Sequence, residues 1–548
     1  MNRTTNTHPM VFEAPGPGTW LLDAVHMPRP FSRFQAEIHP PNLAIGFRDS
    51  FRRYGVLLET LDYRMIGGFG YFAPQPAPAE DIPARFDAAA KAFEEKLWRA
   101  DLASWDSETK PAAIRDHLVL QRIDPTKLPL SDLVAHVDRC REHLARMIRQ
   151  HHLFNSAAIV PVGDFMAHVT EWTGLPLSGF LALLRGAAPE SAGSFPELDH
   201  LAATIRRNSA ARAIVESGEQ SRVILDRLLA TPDDVGAAMG AYLDLVAYRL
   251  LDSLDTGEAY ALEMPEVLVE GIRFAVEGSA SAHTEVSAGQ VDKVRSLVPS
   301  LHREDFDDLL VEARHMSRLR DERGNYSDVW AGGIMRRALL AAGSRLAADG
   351  RLHEAAHLVE GDYQEIKVLM SGAGGPTADD MADRADLRAA GRAGEVPPFL
   401  GPPPEPPPGL EGLPPAAARM MRAVGTAIDA LFATSSAASD DKVVRGTGSS
   451  PGIYTGTARV VSGPAEFGRL RRGDVLVTAS TTESFNLVLP LLGAIVTDSG
   501  GLLSHAAIVS REYGIPGVVG CRDATALLKD GMQVRVDGNL GEVRVVGP

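Results

Sequence analysis

The chain has 548 residues, too many for one core, and at ~150 residues per domain the length predicts three or four units. A hydrophobic share of 45% and a charged share of 23% are those of ordinary globular protein, and a net charge of -16 argues against nucleic acid or an anionic membrane as a partner. Two cysteines, Cys140 and Cys521, exclude a disulfide framework; no metal-type Cys/His spacing surrounds either, and no metal site is expected. The polar N-terminal stretch has no signal-type apolar region, and no apolar run approaches the ~20 residues that span a bilayer, so a cytoplasmic location is expected.

The first eighty residues are rich in Pro, Gly and aromatics and read as irregular structure with short strands, lining a cavity. From Ile82 to about 370 the pattern predicts a helical domain. Ala84 to Asp101 and Leu133 to Arg149 carry apolar residues at three- and four-residue spacing. Ala157 to Leu184 is long and apolar, with Pro161 and Gly174-Leu-Pro176 expected to break it. Further helices are predicted over 196–217, 221–229, 235–254, 303–320 and 329–348. Residues 1–372 are expected to form one mainly helical domain with short β segments at its N-terminus. Residues 373–441, with Val396 to Gly409 the most proline-dense stretch, read as a semi-rigid linker with one helix at 416–433.

Residues 442–548 change texture again. Short β-rich runs (457–461, 474–478, 494–497, 533–537 and 542–546) alternate with glycine turns, which predicts a compact α/β unit of about six strands. Between two of them lies Thr497-Asp-Ser-Gly-Gly-Leu-Leu-Ser-His505. A short helix follows, ended by Gly514. His505 therefore sits where a glycine-rich loop opens into a helix, a place whose amides and dipole favour negative charge. A neutral imidazole there is a nucleophile near pH 7. Gly500 and Gly501 let backbone approach phosphate oxygens, and Ser504 and Thr497 supply hydroxyls.

The runs Gly446-Thr-Gly-Ser-Ser-Pro-Gly452, Gly473-Asp-Val-Leu-Val-Thr478 and Thr497 to Gly520 resemble the phosphohistidine swivelling domain of the PEP-utilising enzyme family. That resemblance implies that His505 carries the phosphoryl group. Family members often have a Thr-Pro loop after the strand ending near Thr478; here it reads Ser480-Thr-Thr-Glu-Ser-Phe-Asn486, so Thr481 and Thr482 keep the hydroxyls without the proline. Members that use ATP carry an ATP-grasp domain, and those that use phosphoenolpyruvate carry a TIM barrel. Neither pattern precedes residue 442, so the donor is expected to be a separate ATP-grasp subunit supplying ATP and Mg2+ chemistry.

Residues 1–370 resemble the acceptor part of rifamycin phosphotransferase and phenylphosphate synthase-type proteins, through Gly18 to Pro30, Tyr63 to Tyr71, Leu319 to Gly324 and Met335 to Gly343. Trp20, Phe31, Phe34, Tyr63, Phe69, Tyr71, Phe165, Met166 and Trp172 are candidate walls, although ordinary core packing is the commoner role for each. Asp23, His26, His168 and Glu171 are candidates to position or deprotonate an acceptor hydroxyl. Among Arg314, Arg318, Arg320, Arg323, Arg336 and Arg337, one or two are expected to meet phosphate. The others are expected to pair with Glu312, Asp321 and Glu322. The function expected is a dikinase-type phosphotransferase that passes phosphate from His505 to a small aromatic or polyketide-like hydroxyl compound. The alternatives are a non-catalytic phosphocarrier and a fold recruited for non-phosphoryl chemistry.

Overall fold

The computed structural model describes residues 11–188, 196–277, 286–432, 439–440 and 442–547. The larger body is helical and carries a four-stranded sheet of order β2-β3-β1-β4, with β1 Trp20–Leu22, β2 Leu58–Ile66, β3 Phe69–Pro76 and β4 Phe399–Leu400. No helix among the described residues is long and apolar enough to cross a membrane.

The first eighty residues are more regular than their composition predicts. β2 and β3 form a hairpin closed by Gly67 and Gly68, with φ of 60° and 82°, the left-handed pair a tight hairpin turn needs. The helix Arg33–Tyr54 contains Pro40 and Pro41, and the helix Asn155–Thr173 runs through Pro161 without the expected break. Each proline removes one ladder bond, at a cost of ~3 kcal/mol. The first helix buries Phe34, Ile38, Leu43, Phe47 and Phe51, at roughly 1.5–3 kcal/mol each, so burial wins.

The stretch expected to be a linker is mostly built into this body. Met381 is fully buried in the main core. The proline run reaches back to the N-terminal sheet, where β4 pairs antiparallel with β1. The helix Pro415–Phe432 lies along Asn155–Thr173, and Arg419 clamps the buried Asp164 by donating from Nε and Nη2, at 2.7 to 3.1 Å.

Residues 443–547 form an eight-stranded mixed sheet of order β5-β12-β11-β7-β8-β9-β10-β6. Its strands are β5 Val443–Arg445, β6 Thr447–Ser450, β7 Ile453–Val460, β8 Val475–Thr478, β9 Ala494–Thr497, β10 Gly517–Val519, β11 Gln533–Asp537 and β12 Glu542–Gly547. β7, β8, β9 and β10 are parallel neighbours. One apolar cluster lies within this unit. A second joins Phe467, Phe485, Leu489 and Ala506 to Leu201, Leu268 and Ile272 of the helical lobe 196–277. The two bodies therefore share a core in this docked arrangement.

Of the acidic residues expected to pair with the arginine cluster, Glu322 and Asp321 do so, with Arg318 and Arg320, and Glu312 does not. Glu312 is held not by the arginines near it in sequence but by Lys96 (2.8 Å), Trp98 (2.7 Å) and Arg99. Burial alone raises its pKa, yet the hydrogen bonds from Arg99, Lys96 and Trp98 bring it down to about 2 from 4.5. A depressed folded pKa means stability that is full above 4.5 and fades as pH falls toward 2. Glu312→Gln is expected to cost on the order of 2–3 kcal/mol at pH 7 and little near pH 2, measured as the shift in urea midpoint.

Candidate active site

β8 and β9 are parallel and in register, Thr478 beside Thr497, so the loops that leave their carboxyl ends emerge side by side. One loop carries Ser480-Thr481-Thr482, the other Asp498 to Ser504. This brings Thr481 Oγ to 2.9 Å from His505 Nδ1. With Nδ1–H donating to Thr481, Nε2 keeps the lone pair; it is buried and has no partner. His505 is the first residue of the helix His505–Tyr513, whose first-turn amides have no intrahelical carbonyl to bond. Ser504 Oγ beside it is also buried without a partner.

The other loop residues divide by role. Gly500 has φ of 99°, a conformation that favours glycine. Gly501 serves a different need: its amide donates to the Leu431 carbonyl at 2.9 Å, and the Leu503 amide donates to that of Ala430 at 3.0 Å. The glycine loop thereby satisfies terminal carbonyls of the helix Pro415–Phe432, groups that a helix end leaves open. A Cβ on Gly501 would be driven into the Ala430 carbonyl oxygen. Two expected phosphate contacts are occupied otherwise. Thr497 is fully buried and donates to the Ser499 carbonyl. Thr482 donates across the interface to the Leu251 carbonyl at 2.9 Å. Behind the loop, burial pushes the Asp498 carboxyl up to about 6, and it accepts the Thr525 amide at 3.0 Å.

His505, Ser504, Gly500, Thr481 and Thr482 form one wall of a partly open cavity between the two bodies. The opposite wall includes His26, His151, Asp252, Arg320 and Arg323. His26 is 41% exposed and its Nδ1 lies 2.9 Å from Asp23 Oδ2. Asp23 is buried and also accepts the Tyr63 hydroxyl at 2.7 Å. Burial raises the Asp23 carboxyl, but the His26 ring and the hydrogen bonds from His26 and Tyr63 hold it below its ordinary value. Burial and the neighbouring Asp23 push the Tyr63 hydroxyl well up. The result is an oriented His–Asp pair facing the cavity that His505 also faces.

Other candidates lie elsewhere. His168 binds Asp164, which raises its pKa through that hydrogen bond, and Glu171 pairs with Arg422 on the surface. Trp172 stacks on His302 at 4.8 Å. Trp20, Phe69 and Tyr71 pack in a small core on the N-terminal sheet, and Phe165 and Met166 in another. Phe31, Phe34 and Tyr63 belong to the main core. Arg318 is committed to Asp106 and Glu322, and Arg336 to Glu263 and the Thr256 and Gly257 carbonyls. Arg314 and Arg337 bind backbone carbonyls. Arg320 and Arg323 alone of this group line the cavity. The sequence reading missed His151 and the 250–254 segment; the His151-His152 doublet near the end of a helix was the signal for the first, and no local pattern marked the second.

Comparison with known proteins bears on the His505 side of the cavity. Residues 470–541 match the family model described as PEP-utilising enzyme, mobile domain. A probable phosphoenolpyruvate synthase of Archaeoglobus fulgidus is 48% identical over 101 residues, 18% of this chain and 13% of that protein. The uncharacterized phosphotransferase YvkC of Bacillus subtilis is 46% identical over 101 residues, 18% of this chain and 12% of its own. The phosphoenolpyruvate synthase of Pyrococcus furiosus is 48% identical over 101 residues, with the same shares of 18% and 12%. The chain thus spans only about an eighth of the length of these relatives, and the match covers the unit that presents His505. Residues 470–541 are thus similar to the mobile domain of PEP-utilising enzymes, and that segment is the one that presents His505.

Proposed function

We propose that this chain is the transfer component of a dikinase-type phosphotransferase. His505 receives a phosphoryl group, with ATP and Mg2+ handled by a separate ATP-grasp subunit, and delivers it to a hydroxyl compound bound in the interdomain cavity. The observation that carries this reading is that a partnerless His505 Nε2 and the Asp23-oriented His26 face one cavity. In the delivery step the acceptor oxygen attacks phosphorus, the P–N bond to Nε2 breaks, and the hydroxyl proton passes to His26. His505 leaves as neutral imidazole with Nδ1–H on Thr481. Arg320 and Arg323 offer positive charge to the moving group.

The cavity argues for a different acceptor from the aromatic one expected. Its apolar lining is aliphatic (Val25, Leu250, Leu251, Leu254, Val329 and Leu431 among others), and histidines are the only aromatic rings among its described lining residues. A small polar or anionic hydroxyl compound suits it better. The test is to load the protein from labelled ATP with an ATP-grasp partner, or from phosphoramidate, and offer a panel of such compounds. Acid-labile label mapping to His505 that then moves to a small product supports the reading. Label that never leaves His505 for any hydroxyl compound favours a phosphocarrier, and absence of label at His505 sinks both.

Docking supplies a separate prediction. Gly501→Ala is expected to leave His505 loading within about twofold of the parent while slowing delivery by at least ~10²-fold, because its Cβ meets the Ala430 carbonyl only in the docked state. Single-turnover chase of preloaded protein measures this.

A further inference from the structure

The wall of the cavity opposite His505 holds a second group of titratable residues that the transfer chemistry above does not use. His151 and His152 end the helix Leu130–Leu153, and Asp328 opens the helix Asp328–Ala348. His151 Nδ1 lies 2.7 Å from Asp328 Oδ1. One donor atom from each of His151, His152 and Asp328 lies within 4.8 Å of the others. His39 stands beside them, its ring 6.0 Å from that of His152.

These residues are deeply buried and incompletely satisfied. His39 is 1% exposed, His152 7% and Asp328 3%. Yet both ring nitrogens of His39, both of His152 and Asp328 Oδ2 have no hydrogen-bond partner. Each such orphan costs on the order of 1–3 kcal/mol, so five together in one place call for a ligand. The charges around the group are Arg323, which donates to the His151 carbonyl at 3.1 Å, and the Arg320–Asp321 pair at 3.8 Å.

The geometry points to a binding site for a divalent transition cation of the zinc type, built from His151, His152 and Asp328 with His39 as the adjoining donor. Imidazole and carboxylate are the ligand set such ions take, at about 2.0–2.2 Å, with an open position left for an oxygen ligand. His151 and Val329 line the cavity, so the ion stands at the acceptor wall and the oxygen it would take is water or the acceptor's own. Cation binding does not depend on the transfer reading and is measured without it.

Chelator-treated full-length protein is titrated with Co2+ alone, followed by visible absorption and by equilibrium dialysis. Saturable binding with a ligand-field band, displaced by Zn2+, is expected. His152→Ala and Asp328→Asn are each expected to weaken it at least ~10-fold, while His26→Ala and His505→Ala bind Co2+ as the parent does. Circular dichroism confirms that each variant folds, and His39→Asn serves as a milder substitution in the same group, expected to shift the band. Absence of saturable binding, or equal affinity in folded His152→Ala and parent, overturns the proposal.

Discussion

Replacing His505 by alanine is expected to abolish product phosphorylation, by at least ~10³-fold, and to remove all acid-labile label from the protein. The imidazole faces the cavity from the loop-to-helix junction, and its Nε2 is buried with no hydrogen-bond partner. The fold loses little. The ring makes one hydrogen bond, to Thr481, and its removal costs about 1 kcal/mol or less. A melting curve close to that of the parent, alongside lost transfer, separates the chemical role from a structural one. Thr481→Val keeps the nucleophile and removes the hydroxyl that sets its tautomer. It is expected to slow loading by about 10-fold, a loss that Thr481→Ser restores. Product formed by the His505→Ala protein at the parent's rate would end the reading.

His26→Ala is expected to lower delivery by about 10²–10⁴-fold while leaving His505 loading unchanged. Asp23→Asn should resemble it, because the carboxylate orients the His26 ring and the amide cannot accept from both His26 and Tyr63 in the same way. The two residues act as a unit, so the double variant should fall no further than His26→Ala alone. Burial raises the Asp23 pKa but His26 and Tyr63 bring it below the ordinary value. Its folded pKa is depressed, so the stability it contributes is present above 3.8 and is lost only as pH falls through the lower value. A delivery rate left unchanged at pH 7 by either substitution would remove the dyad from the mechanism.

The docked arrangement also explains why a glycine pair is needed at 500 and 501. Gly500 meets a demand inside its own domain, a φ of 99°. Gly501 meets one between domains, where its amide donates to the Leu431 carbonyl and a Cβ would be driven into the Ala430 carbonyl oxygen. Adjacent glycines that look interchangeable in sequence thus report on two different equilibria, folding and docking.

The His505 loop was legible in the sequence because its determinants are local. A strand, a glycine loop and a helix ended by Gly514 follow one another within about twenty-five residues, and turn chemistry and periodicity act over that range. The same local logic failed at Pro40-Pro41 and Pro161, where burial of a distant helix face outweighs the lost ladder bonds. It failed again at the proline run, whose strand β4 acquires its partner, Trp20–Leu22, nearly four hundred residues away.

What the sequence determined by itself was the glycine loop that presents His505, the likeness of that segment to the PEP-utilising mobile domain and a mainly helical remainder. It also held Asp23 and His26 as candidates among many, on equal terms with His168 and Glu171. Only the tertiary structure separated these, by bringing Tyr63 to Asp23 and His26 to the cavity while leaving Glu171 on the surface with Arg422. The physical reason is that a nucleophile is made by its neighbours along the chain. A receiving site is made where segments around residues 26, 151, 252, 320 and 505 meet, and long-range packing decides that meeting.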